Sequence, residues 1–179
     1  GKNLRLGFDY FQSAIEATLS DDGKSFRGLW TRRKGAQLVA ELRFAASRQS
    51  PQPVFAENCV SWLGKYRVQF SGASEPAIGV FRRQEQAETE PQAVVGTFLT
   101  TTGDMRYLAG GVRDGELTLS CFDGTHVYLF RCRRDSDGTL RGEFWSGAKG
   151  HQTWSGTRDE AAELPDGFQL TRAEGEVDW

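Results

Sequence analysis

Apolar and polar residues alternate in short runs between residues 61 and 158, with Asp-Gly, Gly-Asp and Lys-Gly steps between the runs. A period of two is the pattern of a half-buried strand, and Gly beside Asp is common punctuation between strands. The first run, residues 61–71, sets Trp62, Tyr66, Val68 and Phe70 mostly on one face; residues 77–82 follow with Ile78 and Val80. Residues 94–102 are expected to pair across Gly103-Asp104 with 105–110, and residues 116–122 across Asp123-Gly124 with 126–133. Residues 139–145 should pair across 147–150 with 152–158. Connections this short make sequential strands antiparallel neighbours. The eight strands form an all-β meander, and closing it into a lipocalin-like or calycin-like barrel removes its edges. Helical periodicity is poor, with one helical turn predicted over 159–164.

The pattern also repeats. Asp22-Gly23, Phe26, Arg27-Gly28 and Trp30 recur in the same order as Asp137-Gly138, Leu140, Arg141-Gly142 and Phe144. Lys34-Gly35 and the run ending in Arg43 likewise match Lys149-Gly150 and the run ending in Arg158. Such a duplication signals a repeated supersecondary unit. Residues 4–9, 14–19, 26–32 and 37–44 match the last four strands of the meander, and nothing matches its first four. The expectation is that the chain begins mid-repeat: either upstream strands complete a second barrel, or these four strands extend the first. The organisation read from this is a partial β-repeat over 1–50, the barrel over 51–160, and a tail or linker over 161–179 leading toward a downstream domain. Pro51 and Pro53 mark a linker over 47–52, and the charged stretch 83–92 a solvated loop.

Composition narrows the function classes. A chain of 179 residues can bury a sizeable core. A net charge of −2 gives no electrostatic footprint for nucleic acid, and Arg131-Cys132-Arg133-Arg134 reads as a solvated strand edge. No run approaches the roughly 18 apolar residues of a membrane helix. The three cysteines, Cys59, Cys121 and Cys132, lack Cys-x-x-Cys spacing, and with only two histidines no metal site is expected and no cofactor is implied. Cys121 and Cys132 flank the Asp123-Gly124 turn, which leaves a disulfide between them open beside the reading of buried free thiols.

Candidate chemistry gathers at two turns. Thr100, Thr102, Asp104, Arg106 and Tyr107 surround the Gly103-Asp104 step and could fix a polar ligand at a barrel mouth; the same residues also suit a turn whose Asp satisfies backbone amides. Asp123 and His126 are half of a catalytic triad, but no Gly-x-Ser-x-Gly elbow supplies a nucleophile, and strand alternation gives no reason for Cys121 to meet the His126 ring. A hydrolase would need His126 within reach of both Asp123 and a hydroxyl or thiol. Among Trp30, Trp62, Phe98, Phe144, Trp145 and Trp154, the pair Trp145 and Trp154 brackets the last turn and is expected at a pocket mouth, while the others suit a core.

Three stretches carry a family likeness: residues 95–110, from Val95-Gly96-Thr97-Phe98 to Leu108-Ala109-Gly110; Leu119-Ser120-Cys121-Phe122-Asp123-Gly124-Thr125-His126; and Gly142-Glu143-Phe144-Trp145-Ser146-Gly147. Together with Ala17-Thr18-Leu19-Ser20-Asp21-Asp22-Gly23 and Leu164-Pro165-Asp166 they resemble the β-rich domain that precedes the thioredoxin-fold domain of bacterial TlpA-like redoxins, thiol-disulfide oxidoreductases of AhpC/TSA type. In that family the chemistry lies in a downstream Trp-Cys-x-x-Cys motif, which maps onto no residue of this chain. The resemblance implies a non-catalytic accessory domain, a thioredoxin-fold domain or its substrates as partner, and a periplasmic or envelope location. That reading expects a filled barrel interior. The rival, a free-standing lipocalin-like carrier, expects an interior cavity with one open end that takes a small ligand.

Overall fold

The computed structural model describes residues 2–48, 59–84 and 93–165. Much of the 47–52 linker, most of the 83–92 loop and residues 166–179 of the tail lie outside the described residues. Two β-structures result. The first is a four-stranded antiparallel sheet, in the order β1 (Asn3–Phe8), β2 (Ser13–Leu19), β3 (Ser25–Lys34) and β4 (Gln37–Ser47). The second is a closed barrel of eight antiparallel strands. Its members are β5 (Gly64–Phe70), β6 (Ala77–Arg83), β7 (Ala93–Thr100), β9 (Leu108–Arg113), β10 (Glu116–Phe122), β11 (Val127–Arg134), β12 (Leu140–Ser146) and β13 (Gly150–Arg158). Each strand pairs with the next, and β13 pairs back onto β5, so no edge remains. The two-residue β8 (Gly103–Asp104) folds back on β7.

No strand ladder joins the sheet to the barrel among the described residues, so β1–β4 do not extend the first barrel. The strand expected over 105–110 begins instead at Leu108, because Arg106 takes a left-handed φ of 62° and keeps 105–107 out of the ladder. Trp62 sits in a 3-10 turn (Val60–Trp62) ahead of β5, and residues 159–162 form a hydrogen-bonded turn without a helix.

The repeat holds in space with one shift. Opposite residues of paired strands share a face. In the barrel, one such row runs Leu117, Cys132, Gly142, Trp154; in the sheet the matching row is Leu4, Ala17, Gly28, Phe44. Arg43 therefore corresponds to Thr153 and not to Arg158. The cause is a longer hairpin: β3 continues past Trp30 to Lys34 with a bulge between Arg32 and Arg33, whereas β12 stops two residues beyond Phe144. Glycine is needed in each row. A Cβ on Gly142 would stand 2.6 Å from the Trp154 ring, and one on Gly28 would stand 2.7 Å from Phe44.

Aromatic rings fill the barrel axis. Phe130 stacks between Phe98 (4.4 Å) and Phe144 (4.2 Å), with Phe70 and Trp154 edge-on or tilted around them. One end is sealed by Arg134. Its guanidinium lies 5.0 Å over the Trp62 ring and donates to the carbonyls of Ser61 (2.9 Å) and Gly138 (3.0 Å), and to Tyr66 Oη (3.2 Å). The basic run thus divides by strand parity. Arg131 and Arg133 face outward and pair with Glu116, while Arg134, in phase with Cys132 and Phe130, turns inward.

Candidate functional site

The other end of the barrel carries the polar cluster. The β10–β11 turn, residues 123–126, is built by Asp123, whose Oδ1 accepts from the backbone N–H groups of Thr125 (3.0 Å) and His126 (2.8 Å). Its Oδ2 lies 2.8 Å from His126 Nδ1 and 3.4 Å from Arg106 Nε. The carboxylate holds the ring with Nδ1 as its donor, whatever the charge on the imidazole. Arg106 arrives from the β8–β9 connection, where its own N–H donates to Asp104 Oδ1 at 3.2 Å. Arg106, Asp123 and His126 are thus brought together, with the Tyr128 ring 5.4 Å from His126.

Burial alone would raise the Asp123 pKa, but the hydrogen bonds from His126 and Thr125 outweigh it and hold the carboxyl at about 2. The opposite happens to the thiols. Burial raises Cys121, helped by the Asp123 carboxylate and opposed by Arg106; burial pushes Cys132 up to about 12. Both are protonated at neutral pH and lack the nucleophilic thiolate.

The remaining predicted residues scatter. Thr100 Oγ1 donates to the Gly103 carbonyl (2.7 Å) and meets Thr102 Oγ1 (3.2 Å), so both threonines shape their own turn. Tyr107 is exposed. The two tryptophans are placed apart from the Asp123–His126 turn. Trp154 is buried in the core with Nε1 toward the Glu143 carbonyl, and Trp145 stacks on His151 at 5.2 Å. The Cys121–Cys132 disulfide is also corrected: the two thiols are not joined. Cys132 stands opposite Leu117 and Cys121 opposite Tyr128, four residues farther along β10. At about 3.4 Å per residue that spacing exceeds the reach of a disulfide.

The sheet adds what the linear reading missed. Gly124, at φ 98°, turns its carbonyl toward the sheet, where it accepts from Trp30 Nε1 (3.2 Å) and from the Ser13 hydroxyl. Phe8 packs edge-on against Phe122 at 5.4 Å. Beside this joint lies a cleft of about 500 Å³, lined from the sheet by Trp30, Arg32, Val39 and Glu41 and from the barrel by Thr125, His126, Tyr128 and Lys149. Thr125 Oγ1 is buried there without a hydrogen-bond partner. Nothing in the linear pattern links Trp30 to His126.

Chemically the cleft can recognise a polar or anionic group through Arg32, Lys149 and His126. No hydroxyl or thiol hydrogen bonds to His126 among the described residues, so the Asp–His pair has no partnered nucleophile there. No cluster of three or more His, Cys, Asp or Glu side chains is placed to hold a metal, and no helix is long and apolar enough to cross a membrane, again among the described residues. No known family model matches the chain, and none of the curated proteins is recognisably similar to it.

Proposed function

We propose that the chain is a non-catalytic accessory module that recognises its partner outside the barrel, at the cleft beside the Asp123–His126 turn. The filled interior carries this reading. Phe98, Phe130 and Phe144 occupy the axis where a lipocalin-like carrier would keep its ligand. The redox association rests on the likeness of residues 95–110, 119–126 and 142–147 to the β-rich domain of TlpA-like redoxins, and with it the envelope location and the thioredoxin-fold partner. Protonated Cys121 and Cys132 agree with a division of labour in which the partner domain supplies the reactive thiolate.

A small polar ligand in the cleft is the second reading, favoured by the unpartnered Thr125 hydroxyl. Reading the native frame beyond Trp179 separates the two. A Trp-Cys-x-x-Cys motif following in frame supports the accessory role, and cross-links from Lys149 to that domain should then form. A stop codon there removes the redox association and leaves the ligand reading.

A further inference from the structure

One face of the β1–β4 sheet is apolar and only partly covered, most openly along β1. Its rows are Leu4–Ala17–Gly28–Phe44 and Leu6–Ile15–Trp30–Leu42, while the opposite face carries rows such as Arg5–Glu16–Leu29–Arg43. Leu4 and Leu6 are 47% and 46% exposed, yet their counterparts Leu117 and Leu119 are each 1% exposed. The counterparts differ only in what stands across from them: β5, β6, β7 and β9, which also pair with the free sides of β10 and β13. In the sheet, β1 and β4 are edges.

We propose that β1–β4 is half of a second eight-stranded barrel, closed by four antiparallel strands that the same polypeptide carries ahead of β1. Order along the chain argues for this occupant. In the intact barrel the covering strands come immediately before β10, joined through residues 114–115. The edges ask for the same partners, one strand against β1 and one against β4, with alternating apolar residues facing inward. A second copy of the sheet fits less well. Eight strands of alternating direction could be closed by a two-fold axis along the barrel, since each strand would map onto one running the same way. That axis would bring a second β10–β11 turn into the end where Gly124 already meets Trp30 and Ser13.

The experiment compares residues 1–179 with the protein extended by whatever its native frame encodes upstream. The extended protein should be monomeric, with exchange of the edge amides of β1 and β4 slowed by about 100-fold or more. Leu4→Ala should raise its unfolding constant by about 30-fold, against less than about 5-fold in 1–179. Unchanged edge exchange in the extended protein overturns the proposal. So does an upstream frame without alternating strands, or a concentration-dependent dimer of 1–179 that already protects β1 and β4. Edge exchange also detects closure if Leu4→Ala fails to fold.

Discussion

The sheet and the second half of the barrel are built from the same strands, yet one is a core and the other a surface. Leu140 is fully buried against the opposite wall, while its counterpart Phe26 is 37% exposed. Both copies carry the alternation, the Asp-Gly turn and the inward glycine. Alternation therefore specifies a strand and the side that is to be buried; the burial itself comes from whatever stands across. Trp30 shows this within the sheet. It is 6% exposed because the barrel's β10–β11 turn sits on it, while Leu4 on the same face has no such cover.

The largest test of that contrast is a pair of equivalent truncations. Leu117→Ala removes a side chain packed inside the barrel and should cost about 2–5 kcal/mol; Leu4→Ala, at the matching site, should cost less than about 1 kcal/mol. Urea denaturation followed by far-ultraviolet circular dichroism measures both. Equal costs would mean that the sheet's face is covered in solution, which would break the comparison.

A smaller effect is expected at the joint. Gly124→Ala forces an L side chain into φ 98° and places its Cβ 2.8 Å from the Phe8 ring. About 1–3 kcal/mol of strain should fall on the contact between sheet and barrel. Trp30 fluorescence should shift to the red at lower urea, while amide exchange in β5–β13 holds. Loss of both together would make the two structures one cooperative unit.

Local information explains what could be read from the chain alone. Strand positions, antiparallel order, closure and the duplication follow from a period of two and from Asp-Gly steps, all contained within a few residues. Asp22 and Asp137, at equivalent turns, illustrate it: both carboxyls are held below their ordinary range, Asp22 by the Ser20 hydroxyl and the Lys24 amide, Asp137 by Thr139, although one turn belongs to the sheet and the other to the barrel. What differs from the linear pattern depends on register or on distant partners. The β4 alignment slipped because a bulge changes phase without changing composition. Trp154 brackets the last turn in sequence, while its parity with Gly142 sets it in the inner row. Arg134 is continuous in sequence with Arg131 and Arg133, but its spacing from Phe130 sets it on the inner face. Of the site, Asp123 with His126 was legible because it lies within one turn. Arg106 is a candidate from its own turn, but its meeting with Asp123 and the Trp30 side of the cleft are not legible, since each arrives from another element.

The smallest effect sharpens the comparison at that turn. A carboxyl whose pKa is lower in the folded than in the unfolded chain binds fewer protons when folded, so it stabilises the fold where it is ionised in both states. For Asp123 the contribution is full above the unfolded value of about 4 and is lost as pH falls through the folded value of about 2. Its solvent-facing side screens the interaction, so the loss should be below about 1 kcal/mol. Since Asp123 shapes the turn that presents Gly124 to Ser13 and Trp30, acid should first weaken the joint. Trp30 fluorescence in fixed moderate urea should therefore shift between pH 4 and pH 2 before barrel circular dichroism changes. Asp123→Asn keeps the acceptor oxygen but removes the titrating charge, and should flatten that early shift. If the shift persists unchanged in Asp123→Asn, the acid sensitivity of the joint lies elsewhere, and the turn holds the sheet through Gly124 alone.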